Sequence, residues 1–587
     1  RTTLIFTNTR SGTERVVYHL KNTFGEKYVD SIGAHHSSLS KELRLDVENR
    51  LKKGELRAVV CSTSLELGID IGYVDLVVLL GSPKSIARGL QRIGRSGHRL
   101  HDVSKGRIVV LDRDDLVECV VLAKKARERA LDRIRIPENA LDVLAQHLVG
   151  MSLEQRWSFH EAYELIKKAY PYRSLDESNL ISMLRYLSGY YVDLEDKKVF
   201  GKLWFDEEER TFGRRGKMTR PIYYMNVGTI PDEVAVRVYA DGRKYVGKIE
   251  EGFLEKLMPG DIFVLGGSTY KFKYARGMRA YVEDVKGRKP TVPSWFSEQL
   301  PLSFDLAYEI RKFRGEMKNK IKKQSRAKIV RYLMTEYEID KRTALAIHGY
   351  FLEQEKFALI PTNKSMIVEE FEDEQERNEY IFHTLVGRRA NSSLSRVIAH
   401  RITKMKKRNT GITVSDNGFV IILASDAKLK KDDIKKLLST KNFDKDLKKA
   451  LERTELLRRR FRHVSARSFL ILKRYMNRYM SVGRQQMNSH ILMGVIKKID
   501  PDFPVLKETY REIMEDCMNI VDAKKLLKTI EKGTVNISFL ESRELPSPFA
   551  FNLVTMGYSD TVLMEDKKEM IKILHSKVME MIEGAES

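Results

Sequence analysis

The sequence has 587 residues, and at roughly 150 per domain that length calls for about four folded units, which excludes a single small module. An apolar share of 42% and a charged share of 32% are those of an ordinary globular chain, and no apolar run reaches the roughly 20 residues that a bilayer span needs. Lysine and arginine number 105 against 81 aspartates and glutamates, so the net charge of +24 favours a polyanionic partner such as nucleic acid over a merely basic surface.

Cys61, Cys119 and Cys517 lie too far apart in sequence for a disulfide framework or a CxxC-type metal or redox site, which suits a reducing cytoplasm. Arg1–Phe6 has no signal-peptide pattern, and the chain opens without methionine directly into a strand-like run, so a truncated start is expected. From Leu4 to about Asp112 short β-rich runs alternate with helical patterns, the signature of a parallel sheet covered by helices. Strands are predicted at Leu4–Phe6, Tyr28–Ile32, Leu56–Cys61, Val74–Leu80 and Arg107–Leu111. A Ser11/Glu14 capping box opens a first helix, and Ser40 caps a second that Gly54 ends.

After a helix at Asp114–Leu131, Pro137–Phe200 reads as three amphipathic helices followed by a hairpin, a winged-helix pattern. In it Ser174 and Glu177 form a capping box, Leu180, Leu184 and Leu187 make one stripe, and Tyr190–Phe200 alternates as a wing. Arg220–Thr291 is punctuated by glycines and predicts a small twisted sheet or barrel. Beyond Pro301 the pattern is mainly helical, with a strand pair at Gly411–Leu423 and a last helix at Glu565–Ile582. Arg458, Arg459, Arg460 and Arg462 sit on a helix whose Leu457, Phe461 and Val464 face inward; they read as solvated surface or as contacts to a nucleic-acid backbone, as do Arg388 and Arg389.

The chemistry is concentrated in Ser62-Thr63-Ser64-Leu65-Glu66-Leu67-Gly68-Ile69-Asp70-Ile71-Gly72 and Gln91-Arg92-Ile93-Gly94-Arg95-Ser96-Gly97-His98-Arg99. Each follows a predicted strand end, where open α/β sheets bind ligands and where hydroxyls, amides and fixed cations hold phosphates. Arg92 and Arg95, three apart, project from one helix face and suit the charge on a transferring γ-phosphate; the alternative is an arginine-rich helix paired with carboxylates. Gly242–Lys248 has GxxxxGK spacing, but Ile249 replaces the hydroxyl that should hold Mg²⁺ and the local pattern is strand-like, so no phosphate loop is read there.

These motifs resemble the second RecA-like lobe of superfamily 2 helicases, with Leu4–Arg10 like motif IV, Ser62–Gly72 like motif V and Gln91–Arg99 like motif VI. The histidine in Gly94-Arg95-Ser96-Gly97-His98 is more particular and resembles the large helicase-related (Lhr) family. So do Asn226–Asp232, Gly260–Gly266, His383–Arg389, Arg460–His463 and Ser547–Ala550, with the archaeal branch the most similar.

The resemblance implies an ATP-dependent 3′ to 5′ translocase of DNA, RNA or hybrid strands, acting in DNA repair or recombination. It implies ATP with Mg²⁺ held between this lobe and a first RecA-like lobe that would supply the Mg²⁺ ligands; the fragment alone should then hydrolyse little ATP. Arg92 and Arg95 would reach the phosphates, with Gly68, Asp70 and Gln91 in the same network. Thr7, Asn8, Arg10, Ser37, Ser62 and Thr63 would contact a single strand's phosphates, and Tyr270 and Trp295 would stack on bases. His35 and His36 read as a hydrogen-bonded or phosphate-neighbouring pair rather than a metal site.

The expected partners are single-stranded DNA or RNA, forked or hybrid duplexes and the first lobe, with no membrane. The expected architecture is multidomain α/β and α+β, with a RecA-like parallel-sheet lobe at 1–130, a winged helix at 131–205, a β-rich part at 206–300 and a mixed, mainly helical region at 301–587. The rival reading is an ATP-independent strand-binding or annealing protein, or a half-motor needing a partner lobe.

Overall fold

The computed structural model describes residues 2–24, 26–36, 39, 41–67, 74–97, 103–195, 199–232, 235–240, 244–255, 257–265, 268–285, 300–373, 376–476, 478–556 and 564–586. Its first lobe is built on β1 (Thr3–Phe6), β2 (Ile32–His35), β3 (Ala58–Cys61), β4 (Leu76–Leu80) and β5 (Gly106–Val109), in the order β2-β3-β1-β4-β5. All neighbours pair in parallel, and β1 lies at the centre with Leu4 beside Val59 and Val77. The helices are α1 (Arg10–Phe24), α2 (Glu26–Val29), α3 (Lys41–Lys52), α4 (Ile86–Ile93) and α5 (Arg113–Arg127).

Alternation along the strands decides which helix covers which face. Leu4 and Phe6 point to one face with Val47, Leu51 and Ile93, whereas Ile5 points to the other with Val16, Val17 and Leu20. The second strand differs from its prediction: Glu26–Val29 is a turn of helix and the strand begins at Ile32. The first helix starts at Arg10, so Ser11 lies inside it rather than capping it. Gly54 follows the third helix at φ +72°, the left-handed conformation that favours glycine.

The winged-helix unit comprises helices Leu141–Glu154, Phe159–Lys167 and Glu177–Ser188 with a three-stranded sheet of Trp157–Ser158, Thr211–Arg214 and Leu203–Asp206. Leu180, Leu184 and Leu187 enter its core as their spacing predicts. The wing itself lies later than expected: Tyr190–Phe200 contains the short helix Val192–Glu195, and the hairpin is Leu203–Arg214. Leu194 and Val199 are buried, as an alternating strand would also require, so a stretch this short does not distinguish helix from strand. Asp176, not Ser174, occupies the N-cap of the third helix.

Val236–Ala240, Lys244–Ile249, Ile262–Leu265, Ser268–Arg276 and Arg279–Asp284 form a five-stranded sheet around Val238, Phe263, Phe272 and Val282. Lys244–Ile249 is a strand, in keeping with the rejection of a phosphate loop. A further five-stranded sheet joins Gly411–Val414, Phe419–Leu423, Asn378–His383, Ser365–Glu372 and Asn536–Arg543, the last pairing parallel to Ser365–Glu372. The region beyond 301 is therefore mixed as well as mainly helical, with helix Arg388–Lys406 against that sheet and Glu455–Arg467 packed on helices Leu141–Glu154, Val482–Ile499 and Pro504–Arg511. Its core is continuous with that of the winged helix. Helices Phe304–Lys323, Arg326–Tyr337 and Lys341–Phe357 instead pack on α5 of the first lobe, through Val117 and Val121 against Leu306, Ile310 and Phe351. Among the described residues, no helix is long and apolar enough to cross a membrane.

Candidate functional site

At the carboxyl end of the parallel sheet, the segment after β3 turns back toward α4, and Glu66 becomes the joint between them. Ser85 caps α4 by accepting from the Arg88 amide, and Gly94 is the helix's C-cap, so Arg88 and Arg92 lie one turn apart on one side and Arg95 follows just past the helix end. Arg92 Nε donates to Glu66 Oε2 at 3.0 Å, and Arg88 Nε lies 3.4 Å from Glu66 Oε1. Arg95 takes the main chain instead, its Nε and Nη2 donating to the Glu66 carbonyl at 3.1 and 2.9 Å. Burial lowers the Arg88 pKa, with the Glu66 carboxylate opposing the shift.

The two predicted arginines thus differ. Arg95 is half-buried at the rim, but Arg92 is 1% exposed, with its guanidinium 5.1 Å from the centre of the Phe6 ring. For Arg92 the alternative of an arginine paired with a carboxylate therefore describes the structure, since its guanidinium is held in a buried pair with Glu66. Arg92 Nη1 also donates to Asn8 Oδ1 at 3.1 Å, linking α4 to the end of β1. Its Nη2 is buried and has no hydrogen-bond partner among the described residues. Gln91 is exposed on the same helix. Of the two arginines, Arg95 keeps exposure at the sheet's carboxyl edge, the position from which a guanidinium can meet the phosphates of a nucleotide such as ATP.

The strand-end polar groups occupy the same edge. Thr7 is buried, its Oγ1 2.8 Å from Thr13 Oγ1 and donating to the Thr9 carbonyl at 2.9 Å, which shapes the turn into α1. Asn8 Nδ2 donates to the Ser82 carbonyl at 2.7 Å, bridging β1 to the end of β4. Ser62 is buried and Thr63 is exposed. Arg10 is the first residue of α1. His35 lies between Ser64 Oγ at 2.7 Å and Glu48 Oε1 at 3.0 Å, and burial lowers its pKa against the pull of Glu48; this is a hydrogen-bonded histidine, as read from sequence. Ser37, Gly68, Asp70 and Trp295 lie outside the described residues.

Tyr270 is buried against Phe263 within the small sheet, so this conformation offers no open ring face for a base. The arginines of helix Glu455–Arg467 are also not solvated surface. Arg459 and Arg462, essentially without exposure, meet Glu251 at 3.3 and 2.6 Å; Arg460 meets Glu255 at 2.9 Å; and Arg467 pairs with Asp142 and Glu512. Burial by itself would raise the Glu251 pKa, but His463, Arg462 and Arg459 hold it down at about 2. Helix Glu455–Arg467 thereby clamps the small sheet and the winged helix, and no local sequence signal identifies carboxylates 200 or more residues away as its partners.

Sequence reasoning also missed Glu66 and Arg88 as members of the site; Glu66 was visible only as a carboxylate inside the first motif. The segment His383–Arg389 is a joint as well. Glu369 receives His383 Nε2 at 3.0 Å and Ser547 Oγ at 2.8 Å, while Asp416 accepts from the amides of Leu302 and Arg388 and lies 3.8 Å from Lys84 of the first lobe. Arg389 is exposed. The carboxylates of Asp142, Glu508 and Glu512 lie close together, but Arg467 and Arg511 pair with them, which argues against a cation there.

Residues 1–99 match the family described as "Helicase conserved C-terminal domain", 124–292 match "Large helicase-related protein, winged helix domain", and 360–550 match "DEAD/H associated". The chain is 59% identical over 582 residues to the ATP-dependent helicase Lhr-Core protein 2 of Thermococcus barophilus, covering 99% of this chain and 67% of that protein. It is 54% identical to the ATP-dependent helicase Lhr-Core of Methanocaldococcus jannaschii, covering 99% of this chain and 66% of that protein. The chain thus spans about two thirds of the length of these relatives. Among solved structures, Mycobacterium smegmatis helicase Lhr bound to single-stranded DNA and AMP-PNP superimposes with a TM-score of 0.73 at 25% identity, over 94% of this chain and 66% of that one. With a parallel-sheet lobe, a winged helix and a mixed C-terminal region arranged as in that structure, the chain belongs to the large helicase-related (Lhr) family of ATP-dependent helicases.

Proposed function

We propose that this chain is the C-terminal part of an ATP-dependent 3′ to 5′ helicase or translocase of DNA or RNA:DNA hybrids, acting in repair or recombination. ATP, bound with Mg²⁺ against a first RecA-like lobe, supplies the free energy of hydrolysis. Arg95 is the residue assigned to the phosphates, with the buried Arg92 behind it and the exposed Gln91 in the same network. Thr7, Asn8, Arg10, Ser37, Ser62 and Thr63 track the strand, and Gly68 and Asp70 belong to the nucleotide side.

One observation carries this reading: Glu66 joins the segment after β3 to α4 through three arginines, with its carboxylate on Arg88 and Arg92 and its carbonyl on Arg95. A change at the phosphates can therefore move the strand-facing Ser62–Thr63 edge by way of one rigid turn. A translocase requires a link of this kind between its nucleotide side and its strand side, and these contacts support that reading. Solved Lhr of M. smegmatis holds both single-stranded DNA and AMP-PNP, which supports the same pairing of ligands here.

The test is Arg95→Ala in a polypeptide that also carries a first lobe. ATPase and unwinding should fall by about 10³-fold or more, as for other transition-state arginines, while single-strand affinity stays near wild type. Equal loss of binding would refute the assignment. ATP-independent annealing by the complete polypeptide, unaffected by Arg95→Ala, would favour the rival reading.

A further inference from the structure

Residues Arg474–Tyr475 and Arg478–Tyr479 form an isolated antiparallel ribbon in which Arg474 faces Tyr479 and Tyr475 faces Arg478. Directly opposed residues share a face of a ribbon, so each face presents one tyrosine and one arginine. Met476 opens the connection at φ +42°, as a tight hairpin turn demands.

A two-stranded ribbon is marginal by itself, and this one is held at its base. Asn226, 2% exposed at the end of helix Thr219–Asn226, donates from Nδ2 to the Arg474 carbonyl at 2.9 Å and accepts from the Arg474 amide at 3.0 Å. The tip contributes to no buried cluster: Tyr475, Met476 and Tyr479 are 42%, 57% and 58% exposed. Arg220 and Tyr224 on the supporting helix are exposed too, Tyr224 at 68%.

The charges here are spent differently from those a few residues earlier. Every arginine of helix Glu455–Arg467 is paired with a carboxylate, whereas Arg474 and Arg478 have none among the described residues. Arg474 lies 5.9 Å from the Tyr479 ring. Guanidiniums without a carboxylate partner among the described residues, alternating with exposed tyrosines on a ribbon anchored only at its base, suit phosphates and unstacked bases at once. That chemistry belongs to single-stranded nucleic acid.

We propose that the Arg474–Tyr479 hairpin, with Arg220 and Tyr224 beside it, is a single-strand contact outside the parallel-sheet lobe. A base stacks on Tyr475 or Tyr479, and Arg474 and Arg478 take the flanking phosphates. The assignment rests on the nucleic-acid reading above only in the identity of the ligand.

The test is anisotropy of a labelled oligothymidylate bound by the full chain across a salt series. Tyr475→Ala/Tyr479→Ala should weaken binding about tenfold or more, the loss of a stacked base. Arg474→Gln/Arg478→Gln should weaken it and flatten the log–log salt slope by about 1.4, at about 0.7 for each phosphate. Ultraviolet cross-linking of a bromouridine strand to the wild type should yield an adduct on Tyr475 or Tyr479. Variants indistinguishable from a wild type that binds, with no adduct on the hairpin, would overturn this proposal and leave the helicase reading standing. A wild type that binds no oligonucleotide would overturn both.

Discussion

Replacing Glu66 with glutamine keeps the side chain's size and removes the charge that Arg92 and Arg88 share. Arg92 would then be a 1% exposed guanidinium without a carboxylate, left with neutral amide oxygens, that of the new side chain and Asn8 Oδ1, and with the Phe6 ring. Stripping one partner from a buried ion pair costs about 3 to 5 kcal/mol, because the remaining charge stays out of water without compensation. Arg88, at 24% side-chain exposure and 3.4 Å, contributes less than about 1 kcal/mol. Arg92→Met fills the same volume without charge and strands Glu66 in turn, with Arg88 close enough to blunt the loss. In Glu66→Gln/Arg92→Met no buried charge is left unpaired, so the double variant should be more stable than the sum of the single losses by about 2 kcal/mol or more.

Because the chain has several cooperative units, the readout is amide exchange of Thr3–Phe6 and Ala58–Cys61, which reports the first lobe alone. A loss of 3 to 5 kcal/mol appears there as about a 10²- to 10³-fold or greater fall in protection. Unchanged protection in Glu66→Gln, or strict additivity in the double variant, would refute the buried-pair account. The same outcome would remove Glu66 as the coupling joint.

Three further outcomes follow from the joints between units. Burial depresses His463 to about 4, so between its unfolded value near 6.5 and about 4 the folded state binds fewer protons than the unfolded one; stability present above pH 6.5 is lost as pH falls toward 4, by roughly 2 to 3 kcal/mol. His463→Gln should lack that increment in urea midpoints compared at pH 7 and pH 4, and an unaltered pH dependence would contradict it. Glu251→Ala leaves Arg459 and Arg462 buried without that carboxylate and should free the 236–284 sheet, seen as faster proteolysis within it at a cost of about 3 to 5 kcal/mol; wild-type resistance would contradict the clamp. Gly387 has φ +82°, and a Cβ there would sit 2.3 Å from the Leu302 carbonyl oxygen, so Gly387→Ala should cost about 2 kcal/mol or more and lower the melting temperature of the C-terminal region.

Much of the architecture was legible because it is local. Apolar runs of four or five residues and a glycine after Lys53 locate the parallel sheet and the end of its third helix before any coordinate is known. The same holds for the Leu180–Leu184–Leu187 stripe, the Gly411–Leu423 hairpin and the last helix, observed at Met564–Glu586. Motif content likewise pointed to the Lhr family, since short fixed spacings of glycine, arginine and histidine survive in a linear string.

Tertiary structure alone decided which polar residues meet. Periodicity tells which side of Glu455–Arg467 is apolar, but not that Glu251, Glu255 and Asp142 arrive from other units to bury its arginines. Nor does spacing separate Arg92 from Arg95: three residues apart reads as one helix side, yet Arg92 packs on Phe6 from within the helix and Arg95, past its end, reaches a backbone carbonyl. Sheet order, the placement of Phe304–Phe357 on the first lobe and the position of the wing are decided the same way. Hydrophobic pattern records what a segment must hide, and the partner that hides it is chosen only when distant segments compete for the same surface.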